Sequence, residues 1–67
     1  MEKTIETLRK IVSTSVSKDD AAWKISDTFP EVSATTADKV RDDVSDFIVG
    51  KIHKSELSLF LTEAGLS

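Results

Sequence analysis

A chain of 67 residues that has no cysteine and one histidine must fold without disulfides. It also lacks the clustered Cys and His ligands that a structural zinc ion takes. The core of so short a chain is small and supplies roughly 3–5 kcal/mol of net stability. We therefore expect one domain over residues 1–67, stabilised by helix packing or by association with a partner.

Composition predicts a soluble, folded protein, because 39% of the residues are hydrophobic and 31% are charged. The net charge of −3 disfavours nucleic acid and anionic lipid and favours a partner with a basic surface. Met1 to Lys10 alternate charged and isolated apolar residues, which is typical of neither a signal peptide nor a membrane span. The lack of cysteine is typical of a reducing compartment, so we expect a cytoplasmic protein without a membrane partner.

Helical spacing of apolar residues predicts an all-α fold, a compact bundle of three to four short helices. No stretch shows the two-residue alternation of a strand. The first predicted helix runs from about Thr4 to Ser15, and Ile11 falls off its apolar stripe. The stripe consists of Ile5, Leu8, Val12 and Val16.

The second predicted helix follows Ser17 as N-cap, with Asp20 in a variant of the capping box. It ends at Pro30, because a proline disfavours helical geometry in the residue before it. A third helix starts near Ser33 or Thr35 and continues to about Val49. The predicted inward residues of the second helix are Ala21, Ala22, Ile25 and Phe29, and those of the third are Ala37, Val40, Val44, Phe47 and Ile48.

The last predicted helix opens at Ser55 and ends in Gly65 and Leu66, a pair typical of a Schellman ending. Gly50 stands where a left-handed residue would end the third helix. We interpret His53, with Lys51 and Lys54, as cations that complement the C-terminal dipole of that third helix. The inward residues of the last helix are Leu57, Phe60, Leu61 and Ala64.

The segment from Asp20 to Val44 has small residues in its first helix, a turn over Phe29 to Val32, and a serine cap before the next helix. Thr36 and Ala37 follow that serine at three and four positions. This spacing resembles a helix-turn-helix unit of the winged-helix type. The resemblance implies a dimeric DNA-binding regulator, with a duplex nearest to Ser33, Thr35, Thr36, Lys39 and Arg41.

Charge opposes DNA binding, because Asp38, Asp42 and Asp46 align on the side of the third helix opposite its apolar face. A recognition helix needs cations and amides that reach phosphates and base edges. A solvated face is the other interpretation of this stripe. In that case Lys39–Asp43 and Asp38–Arg41 spacings offset the repulsion.

Trp23 lies roughly opposite Ile25 on the second helix, among Asp19, Asp20 and Asp27. If Trp23 is exposed, it would suit the centre of an interface with a partner that presents lysine or arginine side chains. The interpretation that we prefer is that Trp23 and Leu59 of the last helix bury each other.

We predict no enzymatic activity and no cofactor, since no nucleophile and base pair, phosphate loop or metal motif occurs. The preferred hypothesis is a small regulatory or inhibitory protein that binds another protein through an acidic face. DNA binding and structural self-assembly, including a homodimer, are the alternatives. The residues predicted to bind the partner protein are Trp23, Asp27, Asp38, Asp42 and Asp46.

Overall fold

The computed structural model describes residues 1–66 and contains four α-helices and no strand within them. The helices are α1 (Glu2–Thr14), α2 (Lys18–Thr28), α3 (Ala34–Ile48) and α4 (Lys54–Glu63). The prediction of an all-α bundle is therefore confirmed.

Two serine N-caps start the central helices. The Ser17 hydroxyl accepts a hydrogen bond from the Asp20 backbone N–H at 3.1 Å, and the Ser33 hydroxyl accepts one from the Thr36 N–H at 3.2 Å. The Asp20 carboxylate accepts from the Val16 N–H at 3.3 Å, one residue before the position that a capping box uses. Both helix starts follow from local chemistry, because each cap satisfies a backbone donor that has no partner inside the helix.

His53 has a role that its position beside two lysines did not predict. It is the N-cap residue of α4, and its backbone N–H donates to the Glu56 carboxylate at 3.2 Å. α4 begins at Lys54, one residue before the serine at which its start was predicted.

Glycine ends α3 and α4 in the same way. Gly50 and Gly65 have φ angles of 83° and 91°, and each is followed by the paired backbone bonds of a Schellman motif. At the second motif the Leu66 N–H donates to the Leu61 carbonyl at 2.9 Å, which turns the Leu66 side chain into the core. Pro30 ends α2 through a turn in which the Val32 N–H donates to the Phe29 carbonyl at 3.0 Å.

α3 is the centre of the bundle, because it packs against each of the other three helices and most extensively against α2. All four helices and the turn before α3 contribute to one apolar core. That core consists of Ile5, Leu8, Ile25, Val32, Ala37, Val40, Val44, Leu57, Leu61 and Leu66.

Three predicted positions on the apolar faces are wrong. Val16 is 91% exposed because α1 ends at Thr14 and the chain continues in an extended conformation. Ile48 is 41% exposed because it lies in the last turn of α3. Ile11, placed off the stripe, is half-buried against the core, since α1 packs against both α2 and α3 and needs a wider apolar face. None of the described helices has the length and hydropathy that crossing a membrane requires.

Candidate functional site: the groove between α2 and α3

Trp23 lies on the surface, with 68% of the residue exposed. It forms one wall of a shallow depression of about 220 Å³, which we call the α2/α3 groove. Leu59 is also 58% exposed, so the expectation that these two side chains bury each other is wrong. The groove is lined by Asp19, Ala22, Trp23, Ser26, Ala34 and Asp38.

Two carboxylates flank Trp23 along α2. Asp19 and Asp27 lie four residues before and after it, so both are neighbours of the indole on the helix surface. Both are exposed, and neither forms an ion pair within residues 1–66. Asp20 is directed elsewhere, because its carboxylate pairs with Lys24 at 3.1 Å. The rim of the groove therefore carries unneutralised negative charge beside an exposed aromatic ring.

Arg41 holds Asp38, which lines the groove on its α3 side. Its Nε donates to the Asp42 carboxylate at 3.0 Å, and its Nη1 donates to Asp38 at 3.3 Å and to the Lys18 backbone carbonyl at 3.2 Å. The Asp42 hydrogen bond, with the nearby charges of Asp42, Asp38 and Asp19, raises the pKa of Arg41. Its side chain is only 13% exposed, so it acts as a crosslink between α2 and α3.

The predicted partner-binding residues fall into two groups. Trp23 and Asp38 line the groove, and Asp27 is one helical turn from the indole. Asp42 and Asp46 lie outside the groove lining: Asp42 is held by Arg41, and Asp46 is half-buried two turns beyond Asp38. The three aspartates predicted to form one acidic stripe on α3 therefore do not act as one surface. Asp38 lines a groove together with residues of α2, and the other two do not.

Residues suggested for DNA contact have internal partners. The Ser33 hydroxyl caps α3 and donates to the Thr36 hydroxyl at 2.9 Å, while Thr35 is exposed beside them. The Lys39 ammonium pairs with Asp43 at 3.2 Å and lies 5.0 Å from the centroid of the Phe60 ring. Arg41 is committed to the crosslink just described. This end of α3 therefore offers few free cations to a phosphate backbone.

A second groove, of about 390 Å³, lies between α1 and the end of α3. Its apolar residues are Phe47 and the misassigned Ile48. Of its two cations, Arg9 is 3.6 Å from the Glu6 carboxylate, and Lys10 forms no ion pair in the described part of the chain. We call it the α1/α3 groove, and its lining includes Glu6, Arg9, Lys10, Ser13, Phe47 and Ile48.

The sequence placed Asp19 among the carboxylates around Trp23, four residues away, but the predicted partner-binding residues did not include it. The small side chains at Ala22, Ser26 and Ala34 leave the space that makes this surface a groove. Sequence reasoning missed the whole α1/α3 groove. The α1/α3 groove had no comparable signal, since it depends on how α1 crosses the last turn of α3.

Comparisons with known proteins found no relative of this chain: no family model, no curated protein and no solved structure matches it. The two grooves differ in charge and are built on different helices. A functional hypothesis therefore has to account for an acidic, aromatic groove on one side and an apolar groove with a free lysine on another.

Proposed function

We propose that this chain is a small non-enzymatic regulator or inhibitor that binds a partner protein through the α2/α3 groove. The partner surface carries lysine or arginine side chains next to apolar ones. The observation that supports this proposal is the exposure of Trp23 between the unpaired carboxylates of Asp19 and Asp27.

Tryptophan is enriched at the centres of protein interfaces, where its large apolar surface is removed from water. A lysine or arginine that stacks on the indole gains a cation–π contact. The same cation can reach Asp19 or Asp27, which lie one helical turn from the ring. An apolar ligand would leave these carboxylates without partners, whereas a basic ligand satisfies them.

Fluorescence of Trp23 gives a direct test, because it is the only tryptophan in the chain. A synthetic amphipathic helix of lysine and leucine serves as the probe. Binding in the groove should shift the emission of Trp23 to shorter wavelength, as the indole leaves water. The apparent affinity should fall as salt rises, because the carboxylates are exposed and therefore screened.

Asp19→Asn with Asp27→Asn is the informative variant, because neither residue forms an ion pair within residues 1–66, and Asp27→Asn alone is made as well, because the charge of Asp19 also acts on Arg41. We expect roughly fivefold weaker binding and a flatter salt dependence. Substituting Asp38 or Asp42 would be ambiguous, since both hold Arg41.

Glu31→Gln with Glu63→Gln is the matched control, because it removes the same charge at exposed positions outside the groove lining. Equal weakening in both double variants would mean that net charge, and not the groove, attracts the peptide, and would overturn the proposal. A parallel titration with mixed-sequence duplex DNA decides between partners. Salt-sensitive DNA binding that Arg41→Ala abolishes, in a variant whose circular dichroism shows an intact fold, would favour the helix-turn-helix alternative.

A further inference from the structure

We infer that the α2/α3 groove of one molecule binds the α1/α3 groove of a second copy, so that the chain self-associates head to tail. This inference rests on the proposed function, which requires a partner with a basic and apolar surface. The α1/α3 groove of a second copy is such a surface.

Charge and apolar character are complementary between the two grooves. The α2/α3 groove presents the exposed indole of Trp23 with the unpaired Asp19 and Asp27. The α1/α3 groove presents apolar Phe47 and Ile48 beside the unpaired ammonium of Lys10. Its other charged residues, Arg9 and Glu6, pair with each other, so the groove has a net positive charge. Trp23 entering the second groove would therefore cover apolar surface on both molecules and bring a carboxylate to the lysine.

Contact between two α2/α3 grooves is less favourable. It would bring the carboxylates of both copies together around the two indoles, and like charges in an interface oppose association. A head-to-tail contact avoids this repulsion, although each molecule carries a net charge of −3.

The two grooves can be occupied at the same time. Asp38 and Ile48, which belong to different grooves, are ten residues apart on α3 and so about 15 Å apart along its axis. An interface that joins two different surfaces is heterologous, and it continues to add copies unless the rotation closes a ring. We therefore expect the average mass to keep rising with concentration, without a plateau at the dimer.

Light scattering and sedimentation over a concentration series test this. Wild-type protein should exceed its 7.4 kDa monomer mass as concentration rises, and added salt should reduce the excess. Trp23→Ala removes the inserting side chain, and Lys10→Glu reverses the charge of the receiving groove. Each should weaken association by at least about tenfold.

Mixing the two variants is the decisive measurement. Trp23→Ala keeps an intact α1/α3 groove, and Lys10→Glu keeps an intact α2/α3 groove. Each should remain monomeric alone, whereas the mixture should form a one-to-one dimer that cannot extend. Asp27→Lys with Lys10→Glu makes a second mixture, in which the two exchanged charges also complement each other, so this mixture should extend beyond the dimer.

Two controls match the variants. Leu59→Ala removes an exposed apolar side chain outside both grooves, and Lys3→Glu reverses a charge at the other end of α1. Both should associate like the wild type. Circular dichroism of each variant checks that it is still helical.

A monomeric wild type at every concentration would overturn the inference. So would a mixture that stays monomeric, or a Lys10→Glu variant that still dimerises through Trp23. The peptide titration on monomeric Lys10→Glu tests the proposed function separately, because that variant retains the α2/α3 groove.

Discussion

Arg41 connects α3 to α2, which its position on an acidic helix face did not indicate. Its guanidinium joins two carboxylates of α3 to a backbone carbonyl 23 residues earlier in the chain. Hydrogen bonds that involve a charged group are stronger than neutral ones, and the planar guanidinium can make several at fixed angles. The spacing of Asp38 and Arg41 was visible in the sequence, but the partner on α2 was not, because it depends on how the two helices pack.

Arg41→Ala should lower the free energy of unfolding by about 1–2 kcal/mol, a value reduced for the partial exposure of its partners. The loss would also leave Asp38 and Asp42 four residues apart without a cation between them. Arg41→Lys should recover part of the loss, since an ammonium cannot bond to all three acceptors in the same geometry.

Urea unfolding of these variants gives the comparison. Arg9→Ala is the control, because its side chain is mostly exposed and forms one surface ion pair, with Glu6. If Arg41→Ala and Arg9→Ala lost equal stability, the crosslink would have no energetic role.

Asp20 makes the start of α2 sensitive to acid. The Lys24 hydrogen bond and the Val16 backbone N–H lower the pKa of Asp20 in the folded protein. Because the folded pKa lies below the unfolded one, the stabilisation is fully present above the unfolded value of about 3.9 and is lost as the pH falls through the folded value. Glu2 acts in the same direction, because Lys54 lowers its pKa.

Thermal melts between pH 7 and pH 2.5 should therefore show a constant midpoint down to about pH 5 and a fall below it. Asp20→Asn should flatten that fall, whereas Asp27→Asn, which removes an exposed carboxylate without an ion pair, should leave it like that of the wild type. A wild-type midpoint that rises on acidification would contradict the sign of the effect.

At the scale of the helix, the residues at which helices begin and end are set by their neighbours in the sequence. The serine caps of α2 and α3, Pro30 and the two glycine endings were all predictable from neighbouring residues, because each satisfies or interrupts backbone bonds within a few positions. Predictions failed where a residue's surroundings came from another helix. The contact expected between Trp23 and Leu59 failed because it depends on how α2 and α4 pack, and the α1/α3 groove is created only by helix crossing.

The two glycine endings should be unequal in their sensitivity to substitution. An added Cβ would meet nothing within 4 Å at either Gly50 or Gly65, so the cost of alanine comes from the positive φ angle and should be about 1–2 kcal/mol. At Gly65 the loss should be larger, because this turn directs Leu66 into the core.

Denaturant midpoints of Gly50→Ala and Gly65→Ala measure that difference. Gly65→Asn should lose less than Gly65→Ala, because asparagine tolerates the left-handed conformation better than other residues with a side chain. Equal losses at both glycines would mean that the docking of Leu66 contributes little.

The whole molecule depends on few buried side chains. Leu8, Ile25, Leu57 and Leu61 are fully buried, and they come from three different helices. α4 is joined to the rest chiefly through α3, so its leucines close one side of the core. Since a core of this size provides only a few kcal/mol of net stability, a single cavity can remove most of it.

Leu61→Ala should therefore unfold a large fraction of the protein at 25 °C. Truncation of a buried leucine costs about 2–5 kcal/mol, which is comparable to the whole net stability expected of a domain this small. Leu59→Ala, on the same helix but exposed, is the control and should change stability by less than about 0.5 kcal/mol. Far-ultraviolet circular dichroism with urea titration measures both. If Leu61→Ala kept a cooperative urea transition near that of the wild type, the stability would come from a source other than this core. Self-association would be the first source to test, because it makes the midpoint of unfolding rise with protein concentration.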